Sequence, residues 1–201
     1  MTKDFQHAAV ARALLALLLL IAAWPTAAGD ADSVTAILIT ARDQVADEDF
    51  GGSIVLVMNN LGPAPIGIII NRPTPVPVAK LFPGNKRLAS LRDRVYFGGP
   101  VEIDSVWFLF RANKVPKQAV QAFDGICISG SRELLLQLLG RAKPMDGLRI
   151  FMGHAGWAPG QLEAEIANGD WRAERAHADA VFSGKSEHPW PATEQGPKDT
   201  T

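Results

Sequence analysis

Cysteine is almost missing from this chain of 201 residues: Cys127 is the only one, so no disulfide can form within it. It lies in the apolar run Gly125–Ile128, where a buried and inert thiol is expected, because a reactive one needs an exposed, electropositive setting. An excess of positive charge is missing as well. The 20 Lys and Arg are scattered and matched by 21 Asp and Glu, so there is no basic stripe to neutralise phosphates, and nucleic acid is excluded as a partner. Also lacking is an apolar run of about 20 residues, the length that spans a bilayer. The run from Ala13 to Trp24 has 12 residues. It follows Lys3 and Arg12 and precedes Pro25 and the small residues Thr26–Ala28, an arrangement that reads as an export signal cleaved near Ala28. No Cys follows it, which excludes lipid attachment there. The mature protein is therefore expected in the periplasm with no stable membrane anchor.

The familiar catalytic patterns are missing too. Gly98-Gly99-Pro100 has neither the spacing nor the Lys of a phosphate loop and is not a dinucleotide fingerprint. There is no G-x-S-x-G elbow. Of the histidines after the signal, His154 and His177 are 23 apart in sequence, and neither has a carboxylate or Cys at metal-ligand spacing. Glu163 and Glu165 are two apart, so on a helix they diverge by about 200° and cannot form an acid/base pair. No catalytic residue, metal site or cofactor is expected.

What remains is enough for one domain over residues 29–183, followed by a polar, Pro-containing segment 184–201 that reads as a disordered tail. Val34–Thr40 is a short apolar, β-branched run that reads as a strand, and the continuous β-branched runs Ser53–Met58 and Ile66–Ile70 predict strands buried on both faces. The turn formers Asn59–Pro63 make the last two an antiparallel pair at the centre of a sheet. The stretch Asp43–Asp49 reads as a loop or a single helical turn. Pro73, Pro75 and Pro77 are expected to end strand structure after Arg72, with a short helix over Val78–Phe82. Further strands are expected at Val95–Phe97, Val106–Phe110, Ile126–Ser129 and Leu148–Met152. Ser131 is placed to cap a helix over Arg132–Arg141, largely buried by its five leucines. A second helix is expected from Pro159, closed by Gly169. The irregular order of strands and helices argues for an α+β domain rather than a doubly wound one.

Turn segments rich in Gly or Pro that directly follow strands are candidates for binding, since loops converge there on a rigid support. Asn71-Arg72-Pro73, Gly98-Gly99-Pro100 and Gly153-His154-Ala155-Gly156-Trp157 are of this kind. They nominate a pocket of Asn71, Arg72, Gly98, Gly99, His154 and Trp157. Each residue also has a purely structural role open to it: strand-end capping for Asn71, backbone angles for the glycines, core packing for Trp157, and for Arg72 an ion pair with Glu163 or Glu165.

In order along the chain, four segments resemble the YqgE/AlgH family of bacterial proteins. The most specific is Gly153–Trp171, GHAGWAPGQLEAEIANGDW. The others are Gly67–Pro73 (GIIINRP), Tyr96–Val101 (YFGGPV) and Phe123–Ile126 (FDGI). The resemblance covers roughly Phe50 to Phe182. It implies an α+β domain built on a bulged, curved, mostly antiparallel sheet with flanking helices, and it brings no assigned activity. His154 stands where the family usually has Tyr, and Phe110 where a His is common. Most members look cytoplasmic, whereas this chain begins with a signal. Residues and resemblance together lead to an exported, non-enzymatic binding or regulatory domain taking a small anionic ligand or a protein partner. A hydrolase-like enzyme using the same pocket and a pure protein-interaction module are the alternatives.

Overall fold

The computed structural model describes residues 36–42, 50–59 and 61–183, all within the second of two compact units, Ser33–Thr201. The expected signal (1–28), the acidic stretch Asp43–Asp49 and the expected tail (184–201) lie outside the described residues. Ten strands occur in the order β1 (Ala36–Ala41), β2 (Ile54–Met58), β3 (Ile66–Ile69), β4 (Pro73–Pro77), β5 (Arg94–Phe97), β6 (Val101–Arg111), β7 (Val120–Phe123), β8 (Ile126–Ser129), β9 (Leu148–Gly156) and β10 (Trp171–Arg175). Among the described residues the helices are α1 (Arg132–Leu139), α2 (Gln161–Asn168) and α3 (Ala178–Phe182), with one 3₁₀ turn at Val78–Leu81.

The strands form a curled sheet in the order β10-β1-β2-β3-β9-β6-β8-β7. Nearly all pairings are antiparallel. β9 is the hinge of the arrangement: one of its edges pairs with β6, and the other is shared by β3 and, in parallel, by β5. Strand alternation sorts the core onto two faces. One face carries Leu38, Leu56, Ile68, Leu109 and Phe151, covered by Val181 and Phe182 of α3. The other carries Ile39, Val55, Val57 and Ile69 beneath Leu162 of α2, and Phe108, Phe110 and Ile150 beneath Leu134, Leu135 and Leu139 of α1. The β2–β3 pair lies inside the sheet, with Val55 opposite Ile69 and Met58 opposite Ile66. This is the curved antiparallel α+β fold that the sequence and the resemblance imply.

Four expectations need correction. The three prolines do not end strand structure: Pro73–Pro77 is β4, paired with β5. The backbone bonds to β5 run through Arg72 (O, from Phe97 N, 2.8 Å) and Val78 (N, to Asp93 O, 2.8 Å). Both are even positions, whereas the prolines occupy odd ones. Their missing donors thus face the free side of an edge strand, where proline is tolerated. Second, Gly153–Gly156 is strand rather than turn. β9 continues because Gly153, at φ 70°, absorbs an irregularity opposite the bulge of β6 between Val101 and Val106, a device that bends a strand without ending it. Third, α2 begins at Gln161, capped by Gly160 at φ 79°, so Pro159 lies just before it. Fourth, α1 is buried on one side only, leaving Leu136 exposed. β7 carries no β-branched run to announce it. Ser131 caps α1 as expected, accepting from Leu134 N at 3.3 Å.

Candidate ligand-binding clefts

Asn71 and Arg72 leave β3 pointing inward. Asn71 Oδ1 accepts from Ile54 N (2.8 Å) and its Nδ2 donates to Gly52 O (2.9 Å). Arg72 Nη2 donates to Gly51 O at 2.6 Å, and the residue is 2% exposed. Together they brace the turn leading into β2. A buried guanidinium without partners is prohibitively costly, so a strand-end Arg aimed into the protein has to bond to what surrounds it.

Gly98 and Gly99 lie directly beside this point. Ile69 N donates to Gly98 O (2.8 Å), and Gly98 N donates to Met152 O (2.7 Å). A Cβ on Gly98 would collide with Gly153 O, and one on Gly99 with the carbonyl of His154. These glycines therefore permit two backbones to touch. His154 meets Trp107 edge to face at 6.2 Å. Three buried polar atoms here, Ser105 Oγ, Trp107 Nε1 and His154 Nδ1, have no hydrogen-bond partner among the described residues. Trp157 is elsewhere: its ring packs over Gly67 in the core beneath α2. The structure thus gathers Asn71, Arg72, Gly98, Gly99 and His154 along one seam of backbone and puts Trp157 apart from them.

The long Gly153–Trp171 motif has a local explanation. Glu165 of α2 accepts from Trp157 Nε1 (2.9 Å) and Trp171 Nε1 (2.8 Å) through one oxygen, and from Gln161 Nε2 (2.8 Å) through the other. Gln161 in turn accepts from Ala158 N at 3.0 Å. One carboxylate therefore clasps helix α2 to the end of β9 and the start of β10. Neither glutamate pairs with Arg72. Beside the clasp is a cleft of about 330 Å³ lined by Phe50, Gly156, Trp157, Gln161, Glu165, Asp170 and Trp171.

A larger cleft, about 420 Å³, opens on the other side of β9 and contains none of the six nominated residues. Arg94, Arg111 and Arg149 line it with Tyr96, Phe182, Asp93 and Asp146. Arg149 is 9% exposed. It donates Nη1 to Ile70 O at 3.1 Å and lies over the Tyr96 ring, 4.3 Å from its centre. Arg111 lies over Phe182 at 4.9 Å. Among the described residues the lining holds three guanidiniums and two carboxylates, and Arg111 also lies 3.9 Å from Asp179. A third hollow, of about 390 Å³, lies along Pro77–Arg92. Of the six nominated residues only Trp157 lines any of these three clefts. The signal for Arg149 was present in the sequence: a charged residue inside the apolar strand LRIFM, the same anomaly that singled out Arg72. Among the described residues no three His, Cys, Asp or Glu side chains are placed to hold a metal ion, and no helix is long and apolar enough to cross a membrane.

The curled, bulged antiparallel sheet with its flanking helices makes this a small α+β protein, and comparison with known proteins identifies its family. A family model described as DUF179, AlgH-like, matches residues 37–196. A UPF0301 protein of Anaeromyxobacter sp. strain Fw109-5 is 36% identical over 164 residues, covering 76% of this chain and 82% of its own. A UPF0301 protein of Streptomyces avermitilis is 33% identical over 171 residues, covering 80% and 85%. Two solved structures share the fold. The protein DIP2367 from Corynebacterium diphtheriae has TM-score 0.59 at 26% identity over 79% of this chain and 81% of that one. The AlgH protein from Pseudomonas aeruginosa has TM-score 0.61 at 24% identity over 80% and 83%. The chain belongs to the AlgH-like, UPF0301 family, as the four sequence segments imply, and that family has no assigned activity.

Proposed function

We propose that this is a binding domain without chemistry of its own, that it takes a small anionic ligand in the Arg149 cleft, and that it works in the periplasm after cleavage near Ala28. The observation that carries the ligand class is Arg149: a nearly buried guanidinium stacked on Tyr96 at the floor of an open cleft whose rim supplies two more. Planar donor arrays of this kind suit carboxylate or phosphate oxygens. The bond to Ile70 O and the Tyr96 ring fix the head group, so little side-chain freedom is lost when a ligand arrives. This reading keeps the anionic ligand expected from the sequence and moves its site to Arg149, at the start of β9. Against the hydrolase alternative, neither Ser105 Oγ nor His154 Nδ1 makes a hydrogen bond among the described residues, so the two are not joined as a bonded nucleophile–base pair of the kind such an enzyme needs.

The test is a titration of the full chain with inorganic phosphate and small dicarboxylates, followed by thermal unfolding and calorimetry. A ligand at 100 times its Kd stabilises a fold by about 2.7 kcal/mol. Arg94→Gln and Arg111→Gln alter exposed side chains and should each weaken binding about tenfold while preserving the fold. If no anion stabilises the protein, or the double variant binds as wild type does, the reading fails. Mass spectrometry of the periplasmic fraction should find a chain beginning near Gly29; an intact Met1 chain in the cytoplasm would count against export.

A further inference from the structure

The cleft beside the indole clasp has the opposite chemistry. Among the described residues its lining holds two carboxylates, Glu165 and Asp170, and three aromatic rings, with no Lys, Arg or His. The rings pack edge to face along its side: Trp171 is inclined 83° to Phe50 at 5.8 Å and 78° to Trp157 at 6.4 Å. The clasp accounts for Glu165, whose oxygens are occupied by three donors. It does not account for Asp170. That residue's backbone is bonded, its amide to Glu165 O and its carbonyl to Arg42 N, but its half-buried carboxylate accepts no hydrogen bond and forms no ion pair among the described residues. Nor does the clasp require the Phe50 ring.

Aromatic walls with carboxylates and no resident cation are suited to a positive charge spread over methyl groups. The ring quadrupole attracts the charge, the methyl groups gain apolar contact, and no hydrogen bonds have to be supplied. A bare divalent ion suits the cleft poorly, since it demands several converging oxygen ligands, and Glu165 has already committed its own. We propose that this cleft binds an alkylated ammonium group of the trimethylammonium type, with Phe50, Trp157 and Trp171 as its walls and Asp170 as its counter-charge. The site is separate from the Arg149 cleft and does not depend on it.

The experiment titrates choline and tetramethylammonium into the full chain at constant ionic strength. Tryptophan fluorescence and the indole N–H resonances of Trp157 and Trp171 report occupancy, with 3,3-dimethylbutanol as the uncharged isostere of choline. Saturable binding is expected, with both indole signals shifted and choline about tenfold tighter than the neutral isostere. Phe50→Leu and Asp170→Asn leave the clasp intact and should each weaken binding about three- to tenfold, Asp170→Asn at an unchanged melting temperature. Arg94→Gln should have no effect, which separates this site from the anion cleft. The proposal is overturned if no saturable response appears, if the isostere binds as well as choline, or if both variants bind like wild type.

Discussion

Replacing Glu165 by alanine removes the one acceptor shared by Trp157 Nε1 and Trp171 Nε1. Both tryptophans are buried, at 7% and 5% exposure, so their N–H groups find no ready substitute. A hydrogen bond to a charged group contributes about 1.5–3 kcal/mol. Two such bonds are lost, and water from the adjoining cleft recovers part of that. The third bond, from Gln161, is exposed and adds little. The expected cost of Glu165→Ala is therefore about 3 kcal/mol, which for a domain of this size lowers the melting temperature by roughly 6–12 °C. Glu165→Gln retains a carbonyl oxygen able to accept from both indoles and should cost about 1 kcal/mol. Equilibrium urea unfolding, followed by circular dichroism and by tryptophan emission, measures both. An alanine variant within about 0.5 kcal/mol of wild type, or alanine and glutamine variants of equal stability, would refute the clasp as a stabilising device.

Three further outcomes follow from the core. Gly99→Ala drives a methyl group into the His154 backbone and should cost at least about 3 kcal/mol in thermal melts, whereas Gly84→Ala, at φ 85° with open space around it, should cost only about 1 kcal/mol. Arg72→Ala should lose about 3 kcal/mol in urea unfolding, because it withdraws the brace on Gly51 from a buried position. Anion affinity should be unchanged; the reverse pattern would restore Arg72 as a ligand anchor. Burial pushes the Cys127 thiol above its ordinary value of 9.0, so iodoacetamide at pH 8 should label the native protein far more slowly than the urea-unfolded chain. The folded state holds that proton more tightly, so this group's contribution to stability falls as pH rises past 9.0.

The strands of the central sheet were legible because β-branched runs such as SIVLVM and IGIII permit little else. The motif around Trp157 was legible as important, but its meaning was not. The functional reading grouped residues by their place after strands, whereas Gly153 keeps β9 running and turns His154 and Trp157 to opposite faces of the sheet. The prolines misled in a related way. Each forbids a donor, which suggests an end to pairing, yet three at alternate positions forbid donors on one side only, and that pattern is compatible with an edge strand. Arg149 was overlooked because its partners, Ile70 and Tyr96, are brought to it only by the sheet order, which local sequence does not reveal.

That sheet order has a consequence for how the chain is made. β1 is held between β2 and β10, and β3 finds its second neighbour in β9. The strands translated first therefore wait for those translated last. Contacts so distant in sequence make folding slow, and a nascent chain lacking residues 148–175 has its hydrophobic strands 36–69 unpaired on their outer edges. Such a chain is exposed to aggregation until those strands arrive. A protein stopped before β9 should therefore be recovered aggregated or degraded, rather than as a smaller stable domain.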